Sequence, residues 1–237
     1  MTFCLGIKVK KGLVAIADTR LTSGTETTIG KKYYTFSKNK KSIFMMTSGL
    51  RSVRDKALIY FKEVLESDQN DFNRLYQVAN ALGDQIKKVA REDKDALIEA
   101  GLKFNLHAII GGQLEDDETH NLYLIYPEGN WIEVGEGSPF QIIGNSGYGK
   151  PILRRTINHD SSMQFALKTG FLSFDSTRVS ANDVDFPIDV LTYHKDSFEI
   201  KVHRYELTDM QEISRLWGES LVDAIKNVPE GWIKESL

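Results

Sequence analysis

The strongest constraint on how this chain can fold is that its apolar periodicity comes in blocks. Over Thr2 to Lys8 the apolar residues Phe3, Leu5 and Ile7 alternate with smaller or polar ones, and the run Leu13 to Asp18 follows Lys10, Lys11 and Gly12. Period-two alternation on both sides of such a turn predicts a β-hairpin. Lys32 to Phe36 and Ser42 to Thr47 form a second pair around the polar turn Ser37 to Lys40. From Ser52 the period lengthens, and Val53, Ala57, Phe61 and Val64, then Phe72, Leu75, Val78, Leu82, Ile86 and Val89, recur at helical spacing. Strand-like runs return at Asn105 to Ile110, Asn121 to Tyr126, Trp131 to Val134 and Phe140 to Ile143. Helical patterns resume at Pro151 to Ile157 and Ser162 to Phe174, then two strands, Ile188 to Tyr193 and Ser197 to Arg204. A last helix begins at Thr208, with Gln211 completing a capping box. The predicted order is ββββ-αα-ββββ-αα-ββ-α.

Strands and helices in separate blocks, without strict alternation, argue for an α+β fold of antiparallel sheets with helices packed in layers. Two strand blocks imply two stacked sheets. No low-complexity stretch or linker divides the 237 residues, so one domain over 1–237 is expected. The net charge of -3, with both signs scattered, gives no reason to expect a nucleic acid or an anionic membrane as partner. No apolar run approaches the roughly 18 residues that span a bilayer, and the first residues lack the layout of a signal peptide. With the single cysteine Cys4 unable to form an internal disulfide, a soluble cytoplasmic protein is expected.

The chemistry gathers at the start of the chain. If the first turn centres on Lys10 and Lys11, paired positions sum to about 21. Thr2 then lies opposite Thr19 and diagonal to Asp18, and a slip of one residue would put Asp18 directly opposite. A terminal threonine carries its own base, because its α-amine has an ordinary pKa near 8 and sits beside its hydroxyl. A lysine nearby would favour the neutral amine and a developing alkoxide, and an aspartate would hold that lysine in place. Asp18 and Lys32 are the available pair, with Lys31 as the alternative lysine.

Thr2-Phe3-Cys4-Leu5-Gly6-Ile7, Ala17-Asp18-Thr19-Arg20 with Gly24, Lys32, and Ser48-Gly49 closing the fourth strand resemble the N-terminal half of a proteasome β-type subunit. Lys31 to Phe36, Tyr148 to Leu153 and Ser173 to Thr177 are most similar to Anbu, the bacterial proteasome-related branch of these N-terminal-nucleophile hydrolases. The resemblance implies a four-layer αββα sandwich in which Thr2, exposed by removal of Met1 with no propeptide before it, is the nucleophile. It further implies that Asp18 orients Lys32, that the Gly49 N–H binds the oxyanion, and that Ser146, Asp175 and Ser180 orient the amine. Gly144-Asn145-Ser146-Gly147 stands where the family has Gly-Ser-Gly, so either Asn145 or Ser146 faces the site. The implied activity is peptide-bond hydrolysis by a homo-oligomer acting on peptides or proteins without a cofactor. A catalytically silent ring or scaffold subunit is the alternative.

Other signals are weaker. Gly144 to Lys150 nearly completes a phosphate-binding loop, but Pro151 stands where a hydroxyl is needed. His107, His120, His159, His194 and His203 show no metal-ligand spacing. Cys4 alternates with the buried face and is expected to be packed, not reactive.

Overall fold

The computed structural model describes residues 2–23, 25–67 and 70–233, so Met1 and Gly24 lie outside the described residues. The chain opens with strands β1 (Phe3–Val9), β2 (Gly12–Asp18), β3 (Arg20–Ser23), β4 (Glu26–Ile29), β5 (Tyr33–Lys38) and β6 (Lys41–Gly49). Helices α1 (Arg51–Glu66) and α2 (Leu75–Glu99) follow, then β7 (Leu106–Gln113), β8 (Asn121–Ile125), β9 (Trp131–Glu133) and β10 (Phe140–Gly144). Helices α3 (Lys150–Thr156) and α4 (Met163–Arg178), strands β11 (Ile188–His194) and β12 (Ile200–Tyr205), and helix α5 (Leu207–Lys226) complete it. The predicted order holds except at the front, where β3 and β4 form an additional hairpin.

Two antiparallel five-stranded sheets form, in the orders β10-β1-β2-β11-β12 and β5-β6-β7-β8-β9. The strand blocks therefore do not map one to each sheet. The first hairpin and the second part company, and β10 leaves its block to pair with β1.

Side-chain alternation sets the layers. Phe3, Leu5 and Ile7 of β1 pack with Val14 and Ile16 of β2 against Leu153, Ala166, Phe171 and Phe174 of α3 and α4. Cys4, Leu13, Ala15 and Ala17 point the other way and meet Phe44, Met46, Ile109 and Leu122 of the second sheet. That sheet buries Ile43, Met45, Ala108 and Ile110 under Phe61 of α1 and Val78, Leu82 and Ile86 of α2. The result is the expected four-layer αββα sandwich. Close approach of the sheets needs small residues, and a Cβ at Gly6 of β1 would lie 3.1 Å from side-chain atoms of Ile109 and Leu122 in the second sheet.

Helix α5 is the exception to this burial. Its N-terminus is closed by Glu206 and Asp209, two residues earlier than the predicted Thr208–Gln211 box, and none of its residues is buried.

Candidate active site

The β1–β2 register pairs Cys4 with Ala17 and Val9 with Gly12, so paired positions sum to 21 as the turn predicted. Extended by two residues, it brings Thr2 to the end of β2, where Thr19 donates its N–H and its hydroxyl to the Pro187 carbonyl at 3.1 and 2.7 Å. The β3–β4 hairpin then carries the chain out and back. It closes where the Gly30 N–H donates to the Thr19 carbonyl at 2.8 Å. Two residues later Lys32 is delivered against Asp18.

Asp18 and Lys32 form a buried ion pair, Nζ to Oδ1 2.7 Å, with side chains 0% and 1% exposed. The same Oδ1 accepts the Phe3 N–H at 2.8 Å, and Oδ2 is buried without a hydrogen-bond partner. Burial pushes the Asp18 carboxyl up, while the Lys32 ammonium and the Phe3 N–H oppose that shift. Lys31 points outward, with its ammonium 4.3 Å from the centre of the Tyr33 ring, which distinguishes the two neighbouring lysines.

The peptide unit between Thr2 and Phe3 is held from both sides. Its N–H goes to Asp18, and the Thr2 carbonyl accepts the Asn145 N–H at 2.7 Å. Gly144 makes this approach possible: it has φ +86°, and a Cβ there would lie 1.9 Å from the Thr2 carbonyl oxygen.

Thr2 opens on a cleft of about 540 Å³ whose walls include Leu21, Thr22 and Thr28 of the β3–β4 hairpin, Thr47 to Leu50, Arg51, Arg54 and Asn105. Thr47 ties this wall to the ion pair, since its N–H donates to the Lys32 carbonyl at 3.2 Å. Gly49 is at the rim with φ +148°, its Cα so near the Asn105 carbonyl that a Cβ would sit 2.1 Å from the oxygen. A smaller cavity, about 340 Å³, lies between Phe36 and Phe72 and is lined by none of the candidate residues.

The remaining candidates do not line this cleft. Ser146 lines a separate pocket with Gly147, Lys150, Arg154 and Arg155. Asp175, buried on α4, bonds Arg178 at 2.9 Å and the Ser214 hydroxyl of α5 at 2.6 Å. Ser180 is exposed just past α4, where its N–H caps the Thr177 carbonyl. The Gly144 to Lys150 loop makes a poor phosphate cradle, because the Asn145 and Lys150 amides are already donated to the Thr2 and Ser146 carbonyls. Among the described residues no cluster of three metal-ligating side chains is found, and no helix is long and apolar enough to cross a membrane.

Sequence reasoning missed Leu21, Thr22, Thr28, Arg51, Arg54 and Asn105. The signal for the arginines was available in their position directly after Ser48-Gly49, at the mouth of a predicted helix.

The family model described as "Proteasome subunit" matches residues 2–183. Among solved structures, an Anbu (Gly-1) mutant from Hyphomicrobium sp. strain MC1 is 29% identical with a TM-score of 0.89, over 97% of this chain and 99% of that one. Anbu (ancestral beta-subunit) from Yersinia bercovieri is 26% identical with a TM-score of 0.87, over 96% and 97% of the two chains. The helical assembly of the Anbu complex from Pseudomonas aeruginosa is 26% identical with a TM-score of 0.89 and the same coverage. None of the curated proteins matches.

Proposed function

The chain belongs to the proteasome subunit family and is similar to Anbu, and from that premise we propose that it is an N-terminal-threonine peptidase working as a subunit of a cytoplasmic homo-oligomer. The observation that carries this reading is the fully buried Asp18–Lys32 pair at the strand end that holds Thr2, beside a cleft lined by Thr2 and Gly49. Burying an ion pair is costly, and here it stands beside the one residue whose chemistry calls for a fixed cation.

In this scheme Met1 is removed and the freed α-amine of Thr2 takes the proton of its own hydroxyl. The Oγ attacks the carbonyl carbon of a peptide bond, and the Gly49 N–H receives the oxyanion, a contact whose loss typically costs about 10²–10³ in rate. The C–N bond breaks, the leaving amine takes the proton, and an ester remains on Thr2. Water then hydrolyses the ester, with the amine again serving as base. Lys32, held by Asp18, stabilises the alkoxide as it develops. The scheme calls on no cofactor. Self-assembly is supported by the helical assembly of the similar Anbu complex from Pseudomonas aeruginosa.

The test is covalent. An epoxyketone needs hydroxyl and free amine on one residue, so it should add to Thr2 of protein whose intact mass lacks Met1, and Thr2→Ala should abolish the adduct. Lys32→Ala should slow labelling by at least about a hundredfold. Retention of Met1, or absence of any adduct, sinks the reading. A second reading, a silent structural subunit, is favoured by one observation: Asp175 is engaged by Arg178 of its own helix and by Ser214 of α5, and Ser146 and Ser180 sit in other surroundings. Absence of an adduct on Met1-free protein would select it.

A further inference from the structure

The walls of the Thr2 cleft are one-sided in charge. The chain as a whole is acidic, with 33 Asp and Glu against 30 Lys and Arg. Yet among the described residues the cleft lining contains Arg51 and Arg54 and no carboxylate. Both arginines turn to the same outside partner: Arg54 Nη2 is 2.7 Å from Asp55 Oδ1, and Arg51 Nε is 3.5 Å from Asp55 Oδ2. One carboxylate shared by two guanidiniums leaves a surplus positive charge. Arg54, 14% exposed, is the more closely paired with Asp55, so the surplus falls mainly on Arg51, whose side chain is 73% exposed and free to turn toward a ligand in the cleft. The Lys32 ammonium does not add to it, being matched by Asp18. Around the arginines the wall presents hydroxyls of Thr22, Thr28, Thr47 and Ser48, which add donors.

The charge continues along the loop that holds Thr2. Gly144 belongs to the cleft, Asn145 holds the Thr2 carbonyl, and Ser146 opens a second pocket of about 510 Å³ lined by Lys150, Arg154 and Arg155, again without a carboxylate. Gly144 and Ser146 are two residues apart, at most about 7 Å of chain. An extended ligand acylating Thr2 would therefore meet basic side chains in the cleft and again next to it.

We propose that the site selects acidic substrates: amides or peptides rich in aspartyl or glutamyl residues, with a carboxylate of the acyl part bound by Arg51 and Arg54 and further carboxylates reaching Lys150, Arg154 and Arg155. This rests on Thr2 as the reacting residue, and it names the substrate class for that residue. Guanidinium–carboxylate contacts are bidentate and directional, so they select for carboxylate placement and not merely for negative charge.

The experiment compares tripeptide epoxyketones that differ only at the residue next to the warhead: glutamate, glutamine or lysine. The glutamyl reagent should label Thr2 at least about tenfold faster than the glutaminyl one, and Arg51→Glu should reverse the order of glutamyl and lysyl reagents. The Arg51 side chain is 73% exposed, so that change does not threaten the fold. Equal rates, or faster labelling by the lysyl reagent, would overturn the acidic preference while leaving Thr2 as nucleophile. If no reagent labels, the nucleophile reading fails, and the charge proposal is decided by binding. Fluorescein-labelled tetraglutamate should then bind at least about tenfold tighter than tetraglutamine, weaken with salt, and weaken further in Arg154→Glu. Equal binding of the two peptides would overturn it.

Discussion

One oxygen of Asp18 receives two donors, the Lys32 ammonium and the Phe3 N–H, and both charged side chains are buried. Removing one partner of such a pair leaves an uncompensated charge inside the protein, which typically costs about 3–5 kcal/mol. Asp18→Ala should therefore destabilise the fold by about that amount in urea titration, whereas Asp18→Ala combined with Lys32→Met should recover much of it. A single-mutant cost under about 1 kcal/mol would show that the pair is hydrated. His120 gives a second prediction, on pH. It is 1% exposed with Nε2 2.8 Å from the Val9 carbonyl oxygen, and burial pulls its pKa down from 6.5 to about 4. The hydrogen bond to Val9 opposes the shift, and Lys8, Lys195 and His159 reinforce it. The unfolded chain thus takes up the proton first as pH falls. Stability from a neutral His120 is full above about pH 6.5 and is lost between there and about pH 4, at up to about 1.4 kcal/mol per unit. Wild-type stability should fall more steeply across that window than that of His120→Gln, and parallel profiles would refute the assignment. That Thr2 and Asp18 lie close was legible because a hairpin of known turn position is a ruler, whereas the route that brings Lys32 to Asp18 runs through the β3–β4 hairpin and was not. The surroundings of Asp175 were not legible either, because Arg178 lies one turn on in the same helix but Ser214 of α5 reaches the carboxylate only when two helices pack.

Among elements, those with one buried face were readable and those without were not. Helix α2 announced itself through Leu75, Val78, Leu82, Ile86 and Val89, all buried against the second sheet. Leu82→Ala should cost about 2–5 kcal/mol by leaving a void between α2 and that sheet, as measured by chemical unfolding. The β3–β4 hairpin gave no comparable signal, since β4 is exposed along its length and its Glu26-Thr27-Thr28-Ile29 carries no apolar alternation to detect. Its place is set by anchoring at the base, through Gly30 to Thr19. Helix α5 was readable as a helix but its start was misplaced, because Thr208 and Gln211 offer the same spacing as the Glu206 and Asp209 that close it. Apolar residues that remain exposed on α5, such as Ile213, Leu216 and Ile225, follow the helical period without a core to serve.

At the level of the whole molecule the layers followed from period and order, but the sheet assignments did not. Periodicity says which face of a strand is buried and is silent on which strand lies alongside, so the separation of the first two hairpins into different sheets could not be read. The homo-oligomer reading makes a simple prediction. Mass photometry should find particles at multiples of the 26.9 kDa chain, and a lone 26.9 kDa species throughout the micromolar range would contradict it.

The clamp on the Thr2–Phe3 peptide unit has a consequence for processing. The first residues of a chain ordinarily fray, because little holds them and their freedom is worth about 1–2 kcal/mol per residue. Here carbonyl and amide are each anchored, by Asn145 and by Asp18, and neither bond involves the residue that precedes Thr2. Trimming the chain at that point should thus create a new end that is already immobile. Amide exchange at Phe3 should be as slow in the trimmed chain as in the untrimmed one, and Thr2 would lose no orientation on becoming a terminus.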